Sequence, residues 1–234
     1  MQAKPVNKNT TVSFVIPSYN NFPLVNQLLV DINEHTLPDE IIVVDDCSTD
    51  KAEIDGLQWW ARNMEIKVRQ TPENLNFLKA SNWGMRQATG DVICLISTDV
   101  RIHKDLAGVA KAMTAIEGKI LLGGRYLNFD TGWNTFDGRT FPYVEGWLLI
   151  AKKEHWEELG YFDERYAPND FEDVDLSTTA ISKGFSLAQI TPDAGTVVEH
   201  IGAQTIGYGE ERAELTKRNR EKFREKWLQP TFSP

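Results

Sequence analysis

Short apolar runs closed by turn residues recur through residues 11–100, and each is followed by a stretch with helical spacing. Residues 11–16, TVSFVI, are rich in β-branched side chains and stop at Pro17, which predicts a first strand. Residues 22–34 then put Leu24, Val25, Leu28, Leu29 and Ile32 on one helical face, with Asn20 as the candidate cap. A second run, EIIVV at 40–44, ends in Asp45-Asp46; Ser48 or Asp50 is placed to cap a helix reaching about Trp60. Residues 65–69 predict a third strand, and residues 76–88 a helix that Gly90 ends. GDVICLISTDV at 90–100 sets Val92, Ile93, Leu95 and Ile96 around Cys94, the run of a strand buried on both faces. Strand and helix alternating in this way predict a parallel, nucleotide-binding-type sheet.

After Asp99 the pattern loosens. A helix is predicted over 106–116, a strand over 119–122, and a hairpin or mobile loop over the Gly-, Asn-, Asp- and Thr-rich stretch 123–141. Residues 143–151 predict a strand and 153–159 a helix. Asn169 or Asp170 is the candidate cap of a helix to Ser182, with strands expected at 185–190 and 196–199. Residues 201–209, with three glycines, predict a flexible loop, and 210–227 a charged helix. No repeat, low-complexity tract or linker interrupts the chain. The expectation is one mixed α/β domain over 1–234, its mostly parallel sheet flanked by helices, with a ligand-binding half at 11–100 and a second half at 101–234.

Composition narrows the function. The chain has 234 residues, 41% hydrophobic, with net charge -9 and a pI near 5.0. Such acidity argues against non-specific nucleic-acid binding, which basic residues drive. It leaves room for a small anionic ligand if a metal supplies local positive charge. Cys47 and Cys94 lie in or beside apolar runs and read as buried thiols, with no disulfide framework or zinc spacing. Residues 1–10 lack an apolar signal core, and no run approaches the roughly 20 apolar residues of a membrane span. A cytoplasmic setting is expected.

The turn after the first strand, Pro17-Ser18-Tyr19-Asn20, has none of the glycines of a dinucleotide fingerprint, and no P-loop is present. Instead, the predicted strand ends carry Pro17 and Tyr19, Asp45 and Asp46, and Thr98 and Asp99. Ligands in open α/β sheets sit beyond such ends. Tyr19 offers a face for a base, a carboxylate at Asp46 can accept the ring N–H of uracil or thymine, and Asp99 can hold a divalent cation that bridges a diphosphate.

VSFVIPSYN, IIVVDDCSTD and ENLNFLKASNWGMRQATGDVICLISTDV resemble the nucleotide-binding half of family 2 glycosyltransferases of GT-A fold, and FEDVDLS with His200 resembles their acceptor half. The resemblance runs from about Val12 to His200. It implies an inverting, metal-dependent transferase that moves a sugar from a UDP- or dTDP-sugar to an acceptor hydroxyl. Pro17, Tyr19 and Asp46 would hold the base, Lys79 and Thr98 would contact the donor, and Asp99 with His200 would hold the cation. That oxygen-and-imidazole set favours Mn2+ over Mg2+. Glu172-Asp173 would be the acid pair beside the acceptor, with Asp173 the base and Glu172 its neighbour, although acids at a helix start are also favourable in themselves. Glu145 and Trp147 fall where relatives build the acceptor wall, and the 201–209 loop would close over the donor.

Two departures stand out. Ser97 replaces the first acid of the Asp-x-Asp motif, and Asn76 stands where glycine is usual, at a position Asn can hold in a left-handed turn. A glycan is the expected acceptor, with lipid-linked saccharide, protein and nucleobase acceptors left open. In the 210–227 helix, Leu215, Phe223 and Trp227 share a face expected to pack on the domain, a weak membrane contact being the lesser reading. The rival readings are a sugar nucleotidyltransferase of similar fold and a nucleotide-sugar-binding module without catalysis.

Overall fold

Every side chain of β1 (Val12–Ser18) is buried, because β1 lies inside the main sheet between two parallel neighbours. The computed structural model describes residues 9–190, 196–202 and 209–228. From β1 the chain runs through α1 (Phe22–His35), β2 (Glu40–Asp45), α2 (Lys51–Asn63), β3 (Ile66–Gln70), α3 (Asn76–Met85), β4 (Val92–Ile96) and β5 (Val100–Ile102). Then come α4 (Leu106–Met113), β6 (Ile120–Gly123), β7 (Tyr126–Leu127), β8 (Thr135–Phe136), β9 (Arg139–Thr140), β10 (Tyr143–Val144) and β11 (Leu148–Lys152). The remainder is α5 (Lys153–Leu159), a 3-10 turn (Glu164–Tyr166), α6 (Glu172–Ser182), β12 (Ser186–Gln189), β13 (Val198–His200) and α7 (Glu210–Trp227).

Among the described residues the main sheet has seven strands in the order β12-β6-β11-β4-β1-β2-β3. All pair in parallel except β11, which is antiparallel to β4 and β6. This is the expected mixed, mostly parallel α/β sheet. Alternate residues of each strand feed two cores. Val12, Phe14 and Ile16 pack with α1, α2 and α4 on one face, while Val15, Ile42 and Val44 pack with α3, α5 and α6 on the other. Each such buried side chain stabilises the fold by about 1.5–3 kcal/mol. Gly84 lets α3 approach the sheet, since a Cβ there would lie 2.5 Å from Val44 Cγ2 and 2.7 Å from Val15 Cγ1.

Several expected details are corrected. Asn20 does not cap α1; it takes a left-handed φ of 49° and its side-chain oxygen accepts from the N–H groups of Thr49 and Asp50, at 2.8 Å each, tying the first turn to the second. Asp50, not Ser48, caps α2. The single strand expected at 143–151 is two strands, broken at residues 145–147. Neither Asn169 nor Asp170 caps α6, because Phe171 occupies that position with φ 73°. β5 was hidden in the run that follows Asp99. Cys94 is buried, whereas Cys47 is half-buried in a left-handed turn, and both thiols are free. The expected loop at 201–209 lies largely outside the described residues. Asn76 does take the left-handed conformation, φ 64°, at the start of α3. Phe223 of α7 is fully buried and Trp227 packs beside it, so the apolar face of that helix is spent inside the fold. No helix among the described residues is long and apolar enough to cross a membrane.

Candidate active site

Parallel pairing brings the carboxyl ends of β1, β2 and β4 to one edge of the sheet, and β1 lies where the chain switches from building one side to building the other. Just past β4, the backbone turns at Thr98 and Asp99 into β5. β13 pairs with β5 in the register His200 to Val100, and the Ile201 N–H donates to Asp99 O at 3.0 Å. That pairing sets the His200 ring beside the buried Asp99 carboxylate, with Nε2 3.3 Å from Oδ2. The indole of Trp147 stacks on the imidazole, centroids 4.8 Å apart and planes within 10°. Gly124 leaves room for that indole, because a Cβ there would fall 1.8 Å from it.

One carboxylate oxygen and one imidazole nitrogen lining a common cleft are donors that would suit a divalent cation. No cluster of three or more His, Cys, Asp or Glu suited to a metal occurs among the described residues, so these two would be the protein's own donors.

The base-binding candidates sit further along the same edge. Asp46 is buried, and its Oδ1 accepts from Leu75 N (2.8 Å) and Thr71 Oγ1 (3.0 Å). A carboxylate with one oxygen so held can accept a ligand N–H with the other. Tyr19 follows β1 directly and is 43% exposed. Lys79 lies exposed on α3.

The acid pair is placed by unusual backbone. Asp170 and Phe171 take φ values of 70° and 73° in succession, and α6 starts at the next residue. α7 holds this turn. Arg212 Nη2 and Thr216 Oγ1 donate to the Asp170 carboxylate at 3.0 and 2.6 Å, while buried Asn219 donates to the carbonyls of Tyr166, Asn169 and Asp170. Asp173 Oδ1 then accepts from Val174 N (2.8 Å) and Oδ2 from Gly146 N (3.1 Å). Burial pushes the Asp173 carboxyl up to about 7 despite these two bonds, with Glu145 and Asp170 adding repulsion. Glu172 is held well above the ordinary carboxylate range, first by burial and then by Asp173, and its Oε2 is buried without a partner.

These groups line one cleft of about 440 Å³. Pro17, Thr98, Asp99, His200, Glu145, Trp147, Glu172 and Asp173 all line it. Tyr19, Asp46 and Lys79 do not line it. Trp147 donates its Nε1–H to Glu145 at 2.9 Å, so this expected acceptor wall is an internally bonded unit with one ring face on His200. Sequence reasoning missed Trp133, Phe171 and Arg212, which also line the cleft. A tryptophan inside a Gly-, Asn- and Asp-rich loop was a legible signal; one arginine among the many bases of α7 was not.

Residues 13–181 match the family described as Glycosyl transferase family 2. The chain is 26% identical over 227 residues to the amylovoran biosynthesis glycosyltransferase AmsB of Erwinia amylovora, covering 86% of this chain and 74% of that protein. It is 29% identical over 97 residues to the poly(ribitol-phosphate) β-N-acetylglucosaminyltransferase TarS of Staphylococcus aureus, covering 40% of this chain and 17% of that protein's length. Among solved structures it resembles the mannosyltransferase PcManGT from Pyrobaculum calidifontis in complex with GDP-Man and Mn2+, with a TM-score of 0.69 at 21% identity over 100% of this chain and 68% of that one. It also resembles GalNAc-T7 with UDP, GalNAc and Mn2+, with a TM-score of 0.73 at 17% identity over 94% of this chain and 49% of that one. These likenesses fix the fold as GT-A. With the profile matching most of its length, the chain belongs to glycosyl transferase family 2.

Proposed function

We propose that this chain transfers a sugar from a UDP- or dTDP-sugar to a hydroxyl of a glycan, with inversion at the anomeric carbon. The observation that carries the reading is the shared cleft, which Asp99, His200 and Asp173 line together. Asp173 accepts the proton of the acceptor hydroxyl as its oxygen bonds to the anomeric carbon. The bond to the diphosphate oxygen breaks with its electron pair leaving on the diphosphate. A carboxylate whose proton affinity burial has raised to about 7 is matched to this work near neutral pH. The amides of Gly146 and Val174 fix its two oxygens, so the base is aimed before the acceptor arrives. Glu172, more deeply buried, is also pushed up, by burial and by the Asp173 charge beside it.

A divalent cation held by Asp99 and His200, Mn2+ in preference to Mg2+, would supply positive charge to the leaving diphosphate. Structures of similar fold complexed with Mn2+ support that cofactor, and the AmsB and TarS likenesses support a glycan or other polymer as acceptor. Asp46 supports uracil or thymine as the base. The test is a melting-temperature screen of nucleotide sugars with Mn2+, since a ligand that binds the folded state raises it. UDP- or dTDP-sugars should give the largest rise and be hydrolysed slowly without acceptor. A protein that no nucleotide sugar stabilises would refute the proposal, and stabilisation without hydrolysis or transfer would make it a binding module.

A further inference from the structure

The loop between β7 and β8 holds two large apolar side chains in the open, Phe129 and Trp133, and of these only Trp133 lines the cleft. Trp133 is 48% exposed and lines the same cleft as the acid pair. A single exposed tryptophan is unremarkable by itself; here the loop around it is built to keep it there. Fully buried Asn134 accepts from the N–H and hydroxyl of Thr131 at 3.0 and 2.9 Å, and donates to the carbonyls of Phe129 and Phe141 at 3.1 and 2.9 Å. Arg220 of α7 donates to the carbonyls of Gly132, Trp133 and Thr135 at 3.2, 2.8 and 2.6 Å, its guanidinium 4.2 Å from the Phe136 ring centroid.

Phe136 in turn stacks on Phe223 with centroids 5.0 Å apart and meets Phe171 at 6.2 Å, the residue immediately before Glu172. The tryptophan loop and the acid-pair turn therefore stand on one aromatic cluster. The backbone that carries the indole is thereby fixed relative to the turn before Asp173, which a group that positions a substrate needs.

We propose that Trp133 is the stacking platform for the sugar ring of the acceptor. The inference rests on the transferase reading and names the acceptor class, a carbohydrate with an apolar C–H face. That face covers the negative face of the indole, and the hydroxyls at the ring edge are left to point toward Asp173. Trp147 is less suited, because one of its faces already holds His200. α7, which braces the Trp133 loop through Arg220, lies outside the family-matched residues 13–181.

The test is saturation-transfer NMR on the full chain with UDP and Mn2+ present, using a mixture of methyl glycosides of glucose, galactose, mannose and N-acetylglucosamine, with thymidine as a nucleobase control. At least one glycoside should receive saturation. Trp133→Ala should weaken its binding roughly tenfold, the size of one aromatic contact, and Trp133→Phe should keep part of it. Arg220→Ala should weaken it less, through a loosened loop. Unchanged melting temperature for Trp133→Ala, whose ring packs on little, separates this effect from misfolding. Glycoside binding equal in wild type and Trp133→Ala, no binding of any glycoside, or binding of thymidine alone would overturn the platform. The readout needs no turnover, so failure of the donor screen refutes the transferase reading separately.

Discussion

Asp173→Asn tests the base assignment and its electrostatics together. Raising a carboxyl from its ordinary 3.8 to about 7 means that the folded, charged form carries a penalty of at most about 4 kcal/mol. Because the folded-state value lies above the unfolded one, the folded protein holds this proton more tightly. Stability from this group is full below about pH 4 and is lost as pH rises through about 7. The amide carries no charge and escapes the penalty. It cannot accept at both positions, however, so either Gly146 N–H or Val174 N–H loses its partner, at a cost of about 1–3 kcal/mol. The variant should thus be more stable than wild type at pH 8 by about 1–3 kcal/mol, a rise of roughly 3–10 °C in melting temperature, and level or less stable at pH 5. Turnover should fall roughly 10²-fold or more, with UDP affinity little changed, as for an interaction made only in the transition state. Wild-type turnover should rise with pH through about 7. The assays are melting curves at pH 5 and 8, calorimetric UDP binding, and transfer rates over pH 5–9. Near-normal transfer would move the base elsewhere, Glu172 being next. The same change in melting temperature at both pH values would refute the desolvated carboxylate.

The remaining predictions concern the donor end and the brace. Asp99→Ala should abolish Mn2+-dependent UDP binding by calorimetry and His200→Ala should weaken it; metal-independent UDP binding by wild type would remove the cation site. With Mn2+ present, UDP and dTDP should bind more tightly than GDP and CDP, and tightest binding of GDP would sink the role given to Asp46. Buried Asp175 accepts from Tyr166 Oη (3.2 Å), Lys226 Nζ (2.8 Å) and Trp227 Nε1 (2.7 Å), so Asp175→Ala strands the Tyr166 and Trp227 donors and leaves Lys226 with Asp163. It should cost about 2–4 kcal/mol, seen as a melting temperature lowered by roughly 5–15 °C.

The sheet was legible because its signals are local. A run such as VICLI, buried on both faces, cannot be placed anywhere but inside a sheet, and the helices between such runs carry clear apolar faces. Helix α7 was read to the residue from its charge pattern and bare ends. What escaped was decided by partners distant in sequence. Asn20 looks like a cap, but the competing amides of Thr49 and Asp50 take its oxygen. Asp170 looks like a cap for α6, but Arg212 and Thr216 claim it from the far end of the chain. In the cleft, the acids and His200 are recognisable by type and motif. The indole of Trp147 and the exposed indole of Trp133 could not be told apart, since only tertiary packing says which ring is covered.

The break in the strand expected at 143–151 ties the Asp99–His200 pair to the Asp173 carboxylate. Had residues 145–147 stayed in regular pairing, their polar groups would have been used up along the ladder. Instead each residue of this short segment reaches a different part of the cleft. The Trp147 carbonyl accepts from Ser97 N at 2.9 Å, anchoring the segment to the end of β4 that carries Asp99. The Trp147 ring lies on His200 and so orients the imidazole toward Asp99. One residue earlier, the Gly146 N–H donates to Asp173. One earlier still, Glu145 receives the Trp147 indole N–H and adds to the negative field that raises Asp173. Asp99 and Asp173 are thus connected through three consecutive residues. Ser97, the residue that departs from the family motif, meets the segment through its backbone N–H. Its side chain was therefore free to change without loosening the joint.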